Sequence, residues 1–332
     1  MSKQKVMTDI FGTRKYKGER LGIEVELENV RDPERGFEQI EGKQFWAMVH
    51  DGSLRNNGVE YLTNPPFKYD ELPEVLQQLE TIVNAVPDSR ATCRTGLHVH
   101  VNVSDMTVEQ VRNMILLSVL YEPGLIWHCG EDRASNIYSL ASSQGDFILG
   151  HINQMMHGDS NRFGHHVIGC RELKYSSLNI GAIAGKGTLE YRMHRGTKSS
   201  QDIGKWVDIL VGIRRIACEA ESPDHIINGI EMLRERAADI GLSPSSITRR
   251  SERRANLLLI PNVECPRFSE SPTIKEKTKE WDSIFGGTPA AGDMRVFLDE
   301  VNQTYQTMRA TDGGDTLRGT RGHRLFGDNP DD

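Results

Sequence analysis

Three short stretches of this chain alternate apolar residues with acidic, imidazole or guanidinium side chains, and they constrain the fold more than any other feature. They begin at Gly22, Gly96 and Thr188 and read GIEVE, GLHVH and TLEYR. Because successive side chains of a β-strand point to opposite faces, each stretch predicts a strand with one apolar face and one polar face. The residues expected to share the polar faces are Glu24 and Glu26, His98 and His100, and Glu190, Arg192 and His194. Such strands side by side give a sheet face suited to divalent metal ions and phosphate.

The order of the predicted elements indicates an α+β protein. The earlier elements are strands at 21–29, 45–53, 58–67 and 91–104, with helices at 70–86 and 107–121. Two further strands, 176–183 and 187–194, are expected to be joined by a hairpin turn at 184–187, and a helix follows from 198 to about 220. Hairpin-like pairs separated by helices favour an antiparallel sheet with helices packed on its apolar face. The polar face is then expected to line a cleft.

Composition divides the chain into four segments. Residues 1–18 are polar and basic and are expected to form a flexible arm, whereas 19–220 contain the alternating stretches and form the core. Residues 221–310 are expected to add helices packed on that core. Residues 311–332 are rich in Gly, Asp and Arg and are expected to be a disordered tail. The segment 130–170, rich in Gly, Ser, Asn and His, is expected to form an excursion around the polar face.

Charge, apolar content and cysteine usage narrow the classes of protein. The formal net charge is −7, which argues against a surface dominated by nucleic-acid contacts. The basic segment 248–254 is interrupted by Glu252 and is interpreted as a solvated helix end rather than a nucleic-acid site. The sequence has no run of 18 apolar residues, so no membrane span is predicted. The five cysteines form no CxxC pair, which favours a reduced, cytoplasmic compartment.

Five carboxylates are expected on the polar face: Glu24, Glu26, Glu60 and Glu190, with Asp51 at the end of its strand. Converging carboxylates repel one another and raise their own pKa values. Divalent cations relieve this repulsion, and hard ions such as Mg²⁺ or Mn²⁺ accept carboxylate oxygens with few imidazoles. Zinc prefers a small tetrahedral shell rich in Cys and His. The predicted donor set therefore matches Mg²⁺ or Mn²⁺ better than zinc.

Alternation of polar and apolar residues also describes the solvated face of any antiparallel sheet. The residue types separate the two interpretations. A solvated face normally mixes Lys, Thr, Ser and Gln, whereas the key positions here are Glu, His and Arg. Taken together, these residues predict a site for metal and phosphate.

Further motifs accompany the alternating strands and stand in a fixed order. They are Gly22–Glu26, Asp51–Ser53 (DGS), the strand from Gly58 into Pro65-Pro66, Gly96–His100, and Thr188–Thr197 (TLEYRMHRGT). In these residues, over about 20–215, the chain resembles the glutamine synthetase and glutamate–cysteine ligase superfamily. Within it, the chain is most similar to the amidoligases of phage and fungal type.

This resemblance implies a curved antiparallel sheet like the catalytic domain of glutamine synthetase. It also implies ATP-dependent ligation of a carboxylate to an amine, with two or three Mg²⁺ or Mn²⁺ ions. The carboxylate attacks the γ-phosphate to give an acyl phosphate and ADP, and the amine then displaces phosphate. Small-molecule or peptide carboxylates and amines are the expected substrates, and a separate amidotransferase is a candidate source of ammonia. We expect a monomer or dimer, in the host cytoplasm if the chain is phage-encoded.

The resemblance also implies roles for individual residues. Those implied as metal ligands are Glu26, Glu60 and Asp51 for one ion, and Glu24, His98 and Glu190 for the ion that binds ATP. His100 and Arg192 are implied as phosphate contacts with a catalytic role, and Arg195 is expected to share the catalytic role. Asp51 and Thr188 depart from glutamine synthetase, which has Glu and Arg there. A replacement phosphate contact is therefore expected elsewhere, and the candidates are Arg195, Arg171, Arg162 and Lys174.

Two other interpretations of the site remain open beside the ligase. One is a catalytically silent relative that binds nucleotide or a partner protein, which the departures at Asp51 and Thr188 allow. The other is a zinc hydrolase that uses His98, His100 and a carboxylate. The segment 184–188 (AGKGT) lacks the first Gly of a phosphate-binding loop and is interpreted as a turn, with Lys186 within reach of substrate.

Overall fold

The computed structural model describes residues 5–130, 133, 139–144 and 146–261. All of them belong to the first of two compact units into which the chain divides, Met1–Glu280. The predicted tail at 311–332 and the predicted helical segment beyond 261 lie outside the described residues.

Among the described residues, seven strands form one open antiparallel sheet, which confirms the α+β class. The strands are β1 (Arg20–Leu27), β2 (Trp46–His50), β3 (Val59–Thr63), β4 (Phe67–Lys68), β5 (Gly96–Asn102), β6 (Leu178–Asn179) and β7 (Thr188–Arg195). Their order across the sheet is β2-β3-β1-β5-β7-β6, and β4 pairs with β1. The three alternating stretches of the sequence therefore lie side by side as β1, β5 and β7.

Helices flank these strands in chain order. They are α1 (Met7–Phe11), α2 (Leu72–Ala85), α3 (Val108–Cys129), α4 (Asp146–Met156), α5 (Ser160–Gly169), α6 (Ala182–Lys186), α7 (Ser200–Glu219), α8 (Pro223–Asn228), α9 (Ile230–Arg236) and α10 (Arg249–Leu258). Helices α3 and α7 pack against each other and on the central strands. In the part of the chain that is described, no helix is long and apolar enough to cross a membrane.

Local sequence explains where the two central helices begin. The side chain of Thr107 accepts a hydrogen bond from the backbone N–H of Gln110, and Gln110 accepts one from the backbone N–H of Thr107, which is a capping box at the start of α3. Ser199 caps α7 by accepting from the N–H of Asp202. Trp206 of α7 is fully buried, as are the apolar residues of β1. The apolar backs of the strands and these helices therefore form the core.

The connection before β7 differs from the predicted hairpin turn. Residues 182–186 form the short helix α6, which ends at Gly187 with a left-handed backbone (φ 69°). The N–H of Gly187 donates to the carbonyl of Ile183, and a Cβ at this position would lie 3.1 Å from the Cβ of Ser104. Glycine is therefore needed here for both its backbone angle and its lack of a side chain. This turn of helix carries Lys186 to the polar face of the sheet.

Three further segments differ in extent from the expectation. Helix α3 continues past residue 121 to Cys129 and includes Pro123. The excursion expected at 130–170 contains helices α4 and α5. In the predicted arm, Met7 is fully buried and its N–H donates to the carbonyl of Met106. Residues 5–18 are thus packed against the core because they bury this apolar side chain and pair their backbone.

A β-bulge between β5 and β7 moves one predicted site residue to the other face of the sheet. Leu97 lies opposite His194 whereas Val99 lies opposite Tyr191, so two residues of β7 face one residue of β5. This extra residue breaks the alternation, and His194 joins the apolar face against Trp206, with ring centroids 5.5 Å apart. Burial lowers the pKa of His194 to about 4. The prediction that His194 shares a face with Glu190 and Arg192 is therefore wrong.

Candidate metal centre

Within the described part of the chain, the polar face of the sheet carries two compact clusters of candidate metal ligands. In each cluster, one ligand atom from every residue lies within 4.8 Å of the others. The first cluster consists of Glu24, His100 and Glu190, and the second consists of Glu26, Asp51 and Glu60. Strand register assembles them, because His100 lies directly opposite Glu190 and Glu26 lies directly opposite Glu60.

Neighbouring side chains orient the first cluster. His100 Nε2 lies 3.0 Å from Glu24 Oε1, while His100 Nδ1 lies 2.9 Å from the hydroxyl oxygen of Thr188. When Nδ1 donates to Thr188, Nε2 presents its lone pair to the cluster. Asn179 donates to Glu190 Oε2 at 2.6 Å and holds that carboxylate in place.

His98 lies between the two clusters. Its Nδ1 is 3.3 Å from Glu24 Oε2 and 3.9 Å from Glu190 Oε1, and its Nε2 is 3.8 Å from Glu26 Oε1. Gly96 makes room for the ring, since a Cβ there would lie 2.7 Å from His98 Nε2. The resemblance implies His98 as the ligand grouped with Glu24 and Glu190, whereas the compact group contains His100 and leaves His98 as a link.

The second cluster consists of carboxylates alone, and its electrostatics reflect this. Burial, followed by the negative charge of Glu24, raises the pKa of Glu60 to about 7, with further contributions from Glu26 and Asp51. The backbone N–H of Gly96 donates to Glu26 Oε2 at 2.6 Å, and that of Ser53 donates to Asp51 Oδ1 at 2.8 Å. The backbone thus holds two of the three acids in place, while their mutual repulsion is expressed at Glu60.

The first cluster has the opposite electrostatic balance. Burial would raise the pKa of Glu24, but His100, His98 and Lys186 together hold it well below its usual value. Burial likewise opposes ionisation of Glu190, and the charges of His100 and Arg192 outweigh it, so its pKa is about 2. Both acids of this cluster are therefore carboxylates at neutral pH.

Cationic side chains of Arg192 and Lys186 contact the first cluster. The guanidinium of Arg192 forms an ion pair with Glu190 Oε1, and its buried Nε has no hydrogen-bond partner among the described residues. The ammonium of Lys186 lies 3.1 Å from Glu24 Oε1 and 3.3 Å from His100 Nε2. Alternation predicts the position of Arg192 on this face. The sequence places Lys186 within reach of substrate but not among the phosphate contacts, and its signal is the glycine-flanked lysine just before β7.

Among the described residues, the other candidate phosphate contacts form no hydrogen bond or ion pair with the two clusters. Arg195 is exposed at the end of β7, opposite Gly96. Lys174 is also exposed, and its ammonium lies 5.5 Å from the centre of the Tyr175 ring. The exposed guanidinium of Arg162 contacts His166 within α5. The side chain of Arg171 is outside the described residues. Neither Lys174 nor Arg162 is brought to the clusters by its contacts.

An acid just after β1 illustrates the difference between a candidate ligand and a structural carboxylate. Glu28 follows Glu24 and Glu26 on the same face, yet it accepts hydrogen bonds from the backbone N–H of Arg55 and from the hydroxyl of Thr92. The guanidinium of Arg94 lies 3.6 Å from it. Its oxygens are therefore satisfied within the protein, and it fixes the loop that follows Asp51.

The family comparison matches the part of the chain that holds both clusters. A model of the family described as a putative amidoligase enzyme matches residues 19–213, more than half of the 332 residues. The chain belongs to this amidoligase family. The match runs from just before β1 into α7 and includes every residue of the two clusters. The resemblance found in the strand motifs is thus confirmed, and the family description supports a ligase enzyme. No curated protein matches this chain.

Proposed function

We propose that this amidoligase is an ATP-dependent carboxylate–amine ligase that forms an amide through an acyl phosphate and releases ADP and phosphate. The observation that carries the proposal is the pair of acidic clusters on one sheet face, linked by His98 and flanked by Arg192. A phosphoryl transfer between two anions needs positive charge close to the phosphate. The acidic clusters would bind metal cations on this face, and Arg192 adds a further positive charge.

The donor chemistry of the clusters fits divalent metal ions. Glu24, His100 and Glu190 would hold one ion, and Glu26, Asp51 and Glu60 would hold a second. Burial and then the charges of neighbouring acids raise the pKa of Glu60, and a bound cation would stabilise its charged form. Oxygen donors outnumber nitrogen donors in both clusters, which favours Mg²⁺ or Mn²⁺. When bound, such ions neutralise phosphate oxygens and orient ATP.

The zinc-hydrolase alternative is less well supported by the same geometry. It requires His98 and His100 on one ion with a carboxylate. Among the described residues, however, the compact group contains His100 without His98, and neither cluster contains a cysteine. A divalent ion of the Mg²⁺ class suits the donors better.

The residues of the chain act by binding and aligning the two anions. The substrate carboxylate attacks the γ-phosphorus of ATP, the bond to ADP breaks, and an acyl phosphate forms. Arg192, anchored by Glu190, directs its planar guanidinium to phosphate oxygens, where a fork of N–H donors aligns them better than a point charge. The amine then attacks the acyl carbonyl, phosphate leaves, and the amine nitrogen loses a proton. Amino acids, small peptides and protein side chains are the candidate carboxylates, and an amine or ammonia is the acceptor.

Hydroxylamine provides a direct test because it replaces the amine and traps an acyl phosphate as a stable hydroxamate. The full chain is incubated with Mg²⁺, ATP, hydroxylamine and a panel of amino-acid and peptide carboxylates, and ADP and hydroxamate are measured. We expect both products with at least one carboxylate, and neither in Glu190→Gln. ATP binding without either product across the panel would support the silent relative instead. Failure to bind Mg²⁺-ATP would contradict both functions.

A further inference from the structure

Lys186 has a position that the strand motifs do not account for. It is the last residue of α6, and Gly187 ends that helix with a left-handed backbone. Its ammonium lies 3.1 Å from Glu24 Oε1 and 3.3 Å from His100 Nε2, at the edge of the first cluster. The side chain remains 45% exposed. It therefore combines a contact to the cluster with freedom to reorient towards solvent.

The position of Lys186 coincides with a missing charge. The resemblance to glutamine synthetase implies an arginine phosphate contact two residues before Glu190, but the residue there is Thr188. The hydroxyl of Thr188 lies 2.9 Å from His100 Nδ1 and is used to orient that ring. Strand β7 therefore has no cation at position 188, and Lys186 at the end of α6 places one beside the same cluster.

The charge and the long side chain of Lys186 indicate what its ammonium does when the first cluster holds a metal ion. A divalent ion at Glu24, His100 and Glu190 would be repelled by an ammonium that contacts the same Glu24 oxygen. The ammonium is a compact charge on a flexible four-carbon stem, so it can move while the backbone stays fixed. The anions that arrive with a nucleotide are its phosphate oxygens. Such oxygens would accept hydrogen bonds from a displaced ammonium.

We propose that Lys186 is a phosphate-binding residue of the site, which exchanges its contact with Glu24 for the terminal phosphate of the nucleotide. The proposal rests on the proposed function, since it assumes that the first cluster holds a metal ion and ATP. It assigns to Lys186 the phosphate contact that Thr188 does not supply. It also makes Lys186 a residue that discriminates a triphosphate from a diphosphate.

The test uses the different effects that loss of Lys186 should have on metal affinity and on nucleotide affinity. Lys186→Met is compared with wild type, with Lys186→Arg, and with Lys205→Met, which removes an exposed lysine of α7. Calorimetry measures Mn²⁺ alone, and then a non-hydrolysable ATP analogue and ADP in saturating Mg²⁺. We expect Lys186→Met to bind Mn²⁺ at least as tightly as wild type. We expect it to bind the triphosphate about tenfold to a hundredfold more weakly, as for loss of one charged hydrogen bond, with a smaller change for ADP.

The outcomes separate this inference from the proposed function. If wild type shows no Mg²⁺-dependent binding of the triphosphate analogue, both the proposed function and the role of Lys186 are overturned. Wild type that binds the analogue, with equal triphosphate affinity in Lys186→Met, overturns the role of Lys186 alone. Parallel loss of Mn²⁺ and triphosphate in Lys186→Met shows a structural role and also overturns the inference. Partial recovery in Lys186→Arg and unchanged binding in Lys205→Met support it, with thermal unfolding confirming that each variant is folded.

Discussion

At the scale of single residues, hydrogen bonds from neighbours decide where the candidate ligands point. Asn179 donates to Glu190, and Thr188 lies against His100 Nδ1, so each orients one member of the first cluster. Partners of this kind fix the tautomer and direction of a ligand and tune its affinity for the ion. The second cluster consists of carboxylates without an imidazole, and burial together with the neighbouring acids raises the pKa of Glu60.

The contact between Thr188 and His100 predicts a defect in metal binding. Thr188→Val keeps the shape of the side chain and removes its hydroxyl. We expect about tenfold weaker Mn²⁺ binding, since loss of an orienting partner typically lowers metal affinity by about 10- to 100-fold. Calorimetry measures the affinity, and Thr81→Val on α2 is the matched control. Wild-type affinity in Thr188→Val would contradict an orienting role for this hydroxyl.

The raised pKa of Glu60 predicts a pH-dependent stability. Folding raises this pKa from 4.5 to about 7, so the folded protein binds the proton more tightly and loses stability as pH rises between these values. In the presence of a chelator, Glu60→Gln should therefore raise Tm at pH 8 by about 2–4 °C, the range for about 1 kcal/mol in a domain of this size. At pH 4.5 it should have little effect.

Thermal unfolding by calorimetry at the two pH values measures this difference. Glu74→Gln, which alters an exposed acid of α2, is the control and should show no such dependence on pH. An equal effect of Glu60→Gln at both pH values would show that burial and the neighbouring carboxylates do not destabilise its charged form.

At the scale of elements, two local backbone features reshape what period-two alternation predicts. Alternation placed Glu24, Glu26, His98, His100 and Glu190 on one face because strand pleating is regular through those positions. It failed at His194 because a bulge depends on register with β5, which a single strand does not encode. It predicted a turn at Lys186 instead of the short helix α6, because a hairpin turn and the end of a short helix share the same glycine signal. The ligand positions on the strands could therefore be predicted, whereas the bulge in β7 and the short helix α6 before it could not.

The placement of His194 on the apolar face predicts a contribution to acid sensitivity. Its folded pKa of about 4 lies below the ordinary value of 6.5, so the unfolded chain binds the proton first and stability is lost as pH falls from 6.5 towards 4. His194→Leu should remove this part of the loss. Mn²⁺ affinity should be unchanged, because the ring packs against Trp206 instead of facing the clusters.

Unfolding midpoints between pH 7 and pH 4 provide the measurement. His225→Leu is the control, since that imidazole is exposed. The unfolding midpoints of this variant should fall with decreasing pH as they do in wild type. Loss of Mn²⁺ binding in His194→Leu would place His194 with the metal ligands and contradict the assignment of the bulge.

At the scale of the whole molecule, helices beyond the family match are joined to the matched core. The match ends at residue 213, yet α10 packs against α3 and α4. Asn153 of α4 donates to the carbonyl oxygens of Leu258 and Ile260, and Arg254 reaches Glu122 of α3 at 3.4 Å. The sequence predicted helices here, but their attachment depends on a buried ion pair between residues 132 positions apart.

The buried pair of Arg254 and Glu122 predicts a loss of stability when the pair is broken. Their side chains are 4% and 3% exposed, and the Glu122 carboxylate also accepts hydrogen bonds from the backbone N–H and the hydroxyl of Ser142. Removal of Arg254 takes one partner from a buried charge that keeps others, so we expect Arg254→Met to lower the free energy of unfolding by about 1–3 kcal/mol. Urea unfolding measures it, with Arg250→Met on the exposed side of α10 as control. Equal stability of the two variants would show that the ion pair does not hold α10 to the core.

The measurement that most directly tests two metal sites on one sheet face is the number of Mn²⁺ ions bound with a non-hydrolysable ATP analogue, determined by electron paramagnetic resonance titration. We expect two ions in wild type. Glu190→Gln should lose the ion of the first cluster together with most analogue affinity, and Glu26→Gln should lose the ion of the second cluster. Binding of the analogue with no metal requirement, or unchanged Mn²⁺ stoichiometry in both variants, would contradict the two-cluster account.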